Sequence, residues 1–238
     1  MNTKTNIDLV LPCYNPPQGW EIQVANHLRL LNEQYNPIKF HLFIVSDGSQ
    51  RGYEVETIAR LRESIPDVKI IDYHPNRGKG YALRTAVKQC TSPYIIYTDY
   101  DFPYTDESFK KVVDALLKGA DVVVATRDKS YQQNLPPFRR ILSLLSHLCN
   151  AWILRIKITD TQGGMKGFSR AGQAIFLKTR IHSFLFDTEF IYKASKQKNI
   201  RLTTIDAKIK EGLIVSNMGF RVVRREALNF LSILFHKD

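Results

Sequence analysis

The sequence predicts an α/β fold: a mostly parallel sheet of the Rossmann-like kind, with helices on both faces. Three observations carry this. Short apolar runs alternate with segments of helical spacing through the first half of the chain. Turn residues (Pro12, Asp47-Gly48, Pro75-Asn76, Asp99) close each apolar run. The 238 residues, 44% hydrophobic and 24% charged, provide ample material for a core. In order, residues 7–11 read as a buried strand, 20–31 as a helix, 40–45 as a strand, 53–64 as a helix and 68–73 as a strand. Residues 81–89 follow as a helix, 94–98 as a strand, 108–118 as a helix and 122–125 as a strand. The helix at 108–118 shows its period directly, with Val112, Ala115 and Leu116 set against Lys110, Lys111 and Asp114.

The second half is less regular. A basic apolar helix is expected over 139–155, then a glycine-rich segment at Gly163, Gly164 and Gly167, a helix over 187–197 and an amphipathic segment over 219–235. With no repeat and no linker, residues 1–238 read as one domain. Charge divides it: residues 1–126 hold 14 basic and 15 acidic side chains, net −1, whereas residues 127–238 hold 20 and 8, net +12. A basic half calls for an anionic partner. Its longest uncharged apolar stretch, 141–154, falls short of the roughly 20 residues that span a bilayer. The polar residues 1–8 lack the apolar core of a signal peptide, and Cys13, Cys90 and Cys149 are far apart, so reduced thiols in a cytoplasmic protein are expected.

In open α/β sheets ligands bind beyond the carboxyl ends of the strands, so the turns there are the places to look for chemistry. Asp99 and Asp101 end one strand, and two carboxylates so placed suit Mg²⁺ or Mn²⁺ holding substrate phosphates. Asp47 ends another, where a carboxylate can accept hydrogen bonds from a base or ribose. Asn76-Arg77-Gly78-Lys79-Gly80 joins flexible backbone, two cations and a helix start, a combination suited to an anion. Each also reads, alone, as an ordinary polar turn.

Together and in order, these segments carry a resemblance. The chain resembles the family 2 glycosyltransferases of the GT-A fold, and within them the polyprenyl-phosphate sugar synthases typified by dolichol-phosphate mannose synthase. The landmarks run from about Ile7 to Lys196. Leu11-Pro12-Cys13-Tyr14-Asn15 stands for P-x-Y-N, Ser46-Asp47-Gly48-Ser49 for D-D-G-S, Asn76 to Gly80 for N-x-G-K-G and Asp99-Tyr100-Asp101 for D-x-D. Asp160 to Phe168 stands for D-T-Q-x-G-x-K-x-F, and Phe186-Asp187-Thr188-Glu189 for F-D-x-E. Pro16, Ser46 and Pro103 depart from the family pattern, and GDP-mannose and UDP-sugars both remain open as donors.

The resemblance implies that Pro12, Tyr14 and Asp47 frame the base and ribose, that Lys79 and Gln162 contact the nucleotide sugar, and that Asp99 and Asp101 hold the metal and diphosphate. It implies catalytic or phosphate-embracing roles for Asp101, Arg127 and Arg139 or Arg140, and makes Asp187 and Glu189 the only candidates for a catalytic base, with structural or acceptor-positioning roles for them ranked ahead of that. The function expected is inverting, metal-dependent transfer of a sugar to a polyprenyl phosphate, with extension of a glycan hydroxyl as the alternative. A peripheral position on an anionic membrane is expected from the aromatics, leucines and cations of 138–155 and 220–235. A nucleic-acid-binding module is disfavoured, since acidic strand ends repel phosphates in the absence of a metal. A sugar-nucleotide pyrophosphorylase is disfavoured by the lack of a glycine-rich loop after the first strand.

Overall fold

The computed structural model describes residues 5–127, 137–158, 160–210 and 220–235. Seven strands form one sheet in the order β3-β2-β1-β4-β6-β5-β7. They are β1 (Asn6–Cys13), β2 (Lys39–Asp47), β3 (Lys69–Tyr73), β4 (Tyr94–Tyr97), β5 (Val122–Arg127), β6 (Lys166–Ser169) and β7 (Leu202–Ala207). The helices are α1 (Trp20–Gln34), α2 (Val55–Ser64), α3 (Lys79–Val87), α4 (Asp106–Leu117), α5 (Pro137–Leu148), α6 (Arg170–Phe176), α7 (Phe186–Ser195) and α8 (Phe220–Phe235). A π-turn, Cys149–Ile153, extends α5.

Strand alternation distributes the core over two faces. Ile7, Leu9 and Leu11 of β1 pack with Trp20, Val24 and Leu28 of α1 and Val112 and Leu116 of α4. Val10, between them, points the other way, into the cluster of Leu83 and Ala86 from α3, Phe176 from α6 and Phe186 and Phe190 from α7. Asp8 shares that inward register and is buried. Its carboxylate accepts from the backbone N–H groups of Thr91 and Ser92 and from the Ser92 hydroxyl, and so fixes the entry to β4.

The five strands foreseen from sequence are present, and two more were not foreseen. The four residues of β6 include a lysine and a glycine, a composition that conceals a strand. Gly167 is needed there because α4 crosses close above: a Cβ would lie 2.8 Å from both Leu116 Cδ1 and Val112 Cγ1. The antiparallel course of β6 between β4 and β5 matters for the site. Parallel strands bring their carboxyl ends to one edge, and an antiparallel strand begins at that edge. The loop preceding Lys166 is thereby placed beside the loops that follow β1, β2, β3 and β4. Residues 1–4 and Gly219 lie outside the described residues. No helix among the described residues is long and apolar enough to cross a membrane.

Candidate active site

Five loops meet at this edge, and polar groups fasten them together. Asn15 in the loop after β1 accepts on its side-chain oxygen from the N–H groups of Gln50 and Arg51, while its own N–H donates to Ser49 Oγ. Gly52 packs so closely on Pro16 that a Cβ would lie 2.5 Å from the Pro16 carbonyl oxygen. Pro12 is buried, whereas Tyr14 is 54% exposed and projects from the edge.

Asp47 is only 5% exposed, and its carboxylate is surrounded by donors. Oδ1 accepts from Tyr73 Oη–H and from the Arg77 N–H, Oδ2 from Asn76 Nδ2 and from the Gly78 N–H, all at 2.8–2.9 Å. A carboxylate offers about four lone-pair sites, and all four have partners here. Asp47 therefore fixes the Asn76–Gly78 loop. The ribose-binding role implied by the resemblance would require one of these donors to yield.

The loop so held starts α3 at Lys79, whose ammonium lies 2.5 Å from Asp99 Oδ1. Burial alone would depress the Lys79 pKa, but Asp99, Asp187 and Asp101 outweigh it and hold the value above the ordinary one. Asp101 is shifted the other way from a normal carboxyl, upward, by burial first and then by the charge of Asp99, with Lys79 and Lys210 opposing. Lys210 belongs to the segment after β7 that passes beneath these turns: its N–H donates to the Pro103 carbonyl. The sequence offered no sign of this cation, because β7 was itself not foreseen.

The glycines of the loop before β6 permit a close approach to the aspartates. A Cβ at Gly163 would lie 2.1 Å from the Ala125 carbonyl oxygen, and one at Gly164 would lie 2.7 Å from Asp99 Oδ2. Tyr104 Oη accepts from the Gly164 N–H at 2.7 Å. Gln162 is half-buried in the same loop. Gly164→Ala is expected to displace the Asp99 carboxylate while leaving the fold intact. Isothermal titration with Mn²⁺ should show at least a several-fold weaker affinity and a melting temperature close to that of the parent; unchanged affinity would separate Asp99 from metal binding.

Beneath the aspartates lies a buried ionic cluster. Lys166 is 0% exposed, and its ammonium lies 2.7 Å from Asp187 Oδ1 and donates to the Gly163 carbonyl at 2.6 Å. Tyr97 Oη–H also donates to Asp187 Oδ1. Desolvation lowers the Lys166 pKa despite Asp187. Glu189 faces inward too, its two oxygens accepting from the Arg180 and Ile181 N–H groups. Both carboxylates of the F-D-x-E block thus support the walls of the site.

Arg127 ends β5 in a fork on Asp160, with Nε and Nη2 at 2.9 and 2.7 Å and the Arg127 N–H at 2.8 Å. Burial pushes the Asp160 carboxyl up, and Arg127 more than offsets this, leaving its pKa below the ordinary value. A carboxyl depressed in the folded state contributes stability that is complete above the unfolded value near 4 and is lost as pH falls through the folded value. The urea midpoint of Asp160→Asn should therefore lie below that of the parent by a constant amount above about pH 5, with the gap closing in acid. A gap independent of pH would remove this role. Arg140 is exposed on α5, where Arg139 also stands, although the Arg139 side chain lies outside the described residues.

The described residues contain no cluster of three or more His, Cys, Asp or Glu able to hold a metal. Asp99 and Asp101 are two hard oxygen donors whose mutual repulsion a cation would relieve, and a metal held by two carboxylates completes its shell with substrate phosphates and water. The residues present fit that kind of site.

Comparisons with known proteins bear on the family and the fold. The chain is 24% identical over 200 residues to a dolichyl-phosphate beta-glucosyltransferase of Trichomonas vaginalis, covering 80% of this chain and 61% of the relative. It is 25% identical over 213 residues to the dolichyl-phosphate beta-glucosyltransferase of Saccharomyces cerevisiae, covering 81% and 63%. The match thus spans about three fifths of the length of these relatives. Among solved structures, glucosyl-3-phosphoglycerate synthase of Mycobacterium tuberculosis superposes with a TM-score of 0.69 at 16% identity, covering 98% of this chain and 82% of that one. The same enzyme in complex with Mn²⁺, UDP and glucosyl-3-phosphoglycerate gives 0.65 at 13% identity, covering 98% and 81%. The likeness establishes the GT-A fold. The family model for glycosyl transferase family 2 matches residues 8–176, well over half of the chain, and the protein belongs to that family.

Proposed function

We propose that the protein transfers a sugar from a nucleotide-sugar donor, GDP-mannose or a UDP-sugar, to a polyprenyl phosphate such as dolichyl phosphate, with inversion at the sugar carbon. The observation that carries this reading is the convergence of Asp99, Asp101, Lys79 and the Gly163–Gly164 backbone at one sheet edge. The names of the dolichyl-phosphate relatives support the acceptor class. Asp99 and Asp101 would hold Mg²⁺ or Mn²⁺, whose charge would stabilise the departing nucleoside diphosphate. Lys79, its pKa raised, stays protonated and adds a fixed positive charge where that diphosphate leaves. The missing side chains at Gly163 and Gly164 let this loop lie close against Ala125 and Asp99, where the donor would meet its backbone.

The state of Asp187 and Glu189 favours a phosphate acceptor over a glycan hydroxyl. A hydroxyl needs a base within reach of its proton, and both carboxylates of the matching block are buried and bonded inward. A phosphate is already anionic and requires only alignment and charge compensation. Arg127, His147, Arg155 and Lys157 line a cavity of 830 Å³ that has space for it.

The helix beside that cavity supports a peripheral position on a membrane. Ile141, Leu144, Leu145, Leu148 and Trp152 follow helical spacing along α5 and the π-turn, and all are about half exposed or more, Trp152 80%. Exposed Arg140, Arg155 and Lys157 flank them. This is the pattern of an amphipathic segment lying in an anionic interface. Unpaired Cys13, Cys90 and Cys149 are compatible with the cytoplasmic face.

The test is to incubate the protein with Mn²⁺, candidate nucleotide sugars and a short polyprenyl phosphate. Nucleoside diphosphate should be released only when the lipid phosphate is present. Release that requires a saccharide and ignores the lipid would establish the glycan-extending alternative. Co-sedimentation with anionic vesicles, lost in Leu144→Glu/Trp152→Glu, tests the membrane position separately.

A further inference from the structure

A second cationic feature lies on the flank of the Asn76–Gly78 loop. Between this loop, residues 180–183 and α8 runs a groove of 470 Å³. Four cations from four separate segments line it: Arg77 after β3, Arg180 after α6, Lys193 on α7 and Arg225 on α8. Arg77, Arg180 and Arg225 are exposed at its surface. Glu189 is the acidic residue in its lining, and both of its oxygens face the Arg180 and Ile181 N–H groups. Among the described residues the lining therefore carries a formal net charge of about +3.

The field of these cations is felt nearby. His182, also in the lining, has a pKa lowered by burial and then by the charges of Arg84 and Arg77. Arg84 stands behind the groove, its guanidinium donating to the Thr179 hydroxyl and the carbonyls of Arg180 and Ile181, with the charge of Glu189 acting on it. Glu226 accepts on Oε2 from Ser183 Oγ–H and the Leu185 N–H, and its Oε1 lies 3.4 Å from Nε of Arg225. On α8, Arg225, Asn229 and Ser232 recur at i, i+4 and i+7, which aims a strip of polar side chains along one wall.

We propose that this groove binds a phosphomonoester group at a site separate from Asp99 and Asp101. Guanidiniums brought together from several segments are the chemistry that holds the oxygens of an anion in preference to a neutral sugar, and a phosphate, with more charge and more oxygens than a carboxylate, can meet more of them at once. The volume accommodates a phosphate with a small body attached. The inference does not rest on the proposed transferase reaction, and its ligand is either a soluble phosphomonoester or the headgroup of a phosphomonoester lipid. An anion bound here touches the loop that Asp47 fixes and that starts at Asn76, so occupancy would tie α8 to the segment that sets Lys79 on Asp99.

Isothermal titration with inorganic phosphate, in the full chain with and without saturating Mn²⁺ and UDP, is the direct test. Saturable binding that persists with UDP present, and that weakens at least tenfold in Arg180→Gln/Arg225→Gln while UDP affinity stays within about twofold, is the expected result. Binding that UDP abolishes would make the groove part of the donor site and overturn the proposal. Absence of saturation into the millimolar range, or equal affinity in the double variant, would also overturn it. Flotation with phosphatidic acid vesicles against phosphatidylcholine vesicles then identifies the source. Recruitment lost in the double variant assigns a lipid headgroup; phosphate binding without such recruitment assigns a soluble ligand. Both arginines are exposed, so a melting temperature near that of the parent is expected and checks that the variant folds.

Discussion

Asp187→Asn should be among the most destabilising single changes in the chain, lowering stability by about 3–5 kcal/mol, because it strands the ammonium of Lys166 in the interior. Lys166 is fully buried between β4 and β5, and apart from Asp187 its ammonium meets the Gly163 carbonyl and lies 5.7 Å from the centroid of the Tyr97 ring. At this chain length the loss corresponds to a fall in melting temperature of roughly 10 °C. Its pH dependence identifies the cause. The lysine pKa is already lowered in the parent, by burial, and drops further when its counter-charge is removed. Below the unfolded value near 10.4 the unfolded chain then binds the extra proton, so the variant's stability rises with pH through the interval between its folded pKa and that value. Lys166→Met should show no such rise. A double change, Lys166→Met/Asp187→Leu, should cost less than the two single changes together, since it leaves no charge behind. Additive losses would mean that the two groups do not act as a pair.

This cluster also shows what sequence could and could not disclose. The first half was legible because its signals are local: a buried parallel strand is an apolar run, and the residue that ends it is a turn former. Asp47, Asp99 and the Asn76–Gly80 loop could be assigned to strand ends for that reason. The Asp47 carboxylate illustrates the limit, since its four donors come from 26 to 31 residues away, and no local pattern says whether a strand-end aspartate faces a ligand or a neighbouring loop. Arg127 and Asp160 are 33 residues apart, and Tyr97 and Asp187 are 90. Strand β6 was missed because Gly167 is there for the helix above it and Lys166 for the aspartate below it. Both choices override strand propensity. The helix expected over 139–155 ends at Leu148 and passes into a π-turn, a change of hydrogen-bond pattern that the amphipathic period does not record.

Asp101→Asn should reduce turnover by about 10²–10³-fold or more with no loss of folding, the scale on which removing one preorganised charge from a transition state is felt. Asp101 keeps solvent access beside Asp99, and its carboxyl is raised by partial desolvation and by that neighbour's charge, so the asparagine relieves repulsion and leaves the melting temperature unchanged or slightly higher. A stable, inactive variant is thus the signature of a charge kept for a ligand. Lys79→Met adds a second measurement. The ammonium at 2.5 Å occupies Asp99 Oδ1 with positive charge, and any cation arriving at that carboxylate must share it. Mn²⁺ titrated alone, followed by electron paramagnetic resonance, should bind Lys79→Met more tightly than the parent. UDP should bind the variant's Mn²⁺ complex more weakly, because the charge that met the diphosphate is gone. If Lys79→Met weakened both, the lysine would be supporting the loop alone, and the electrostatic role would pass to Lys210, the other cation whose charge acts on Asp101. Opposite shifts in the two affinities are the outcome that a purely structural lysine cannot produce.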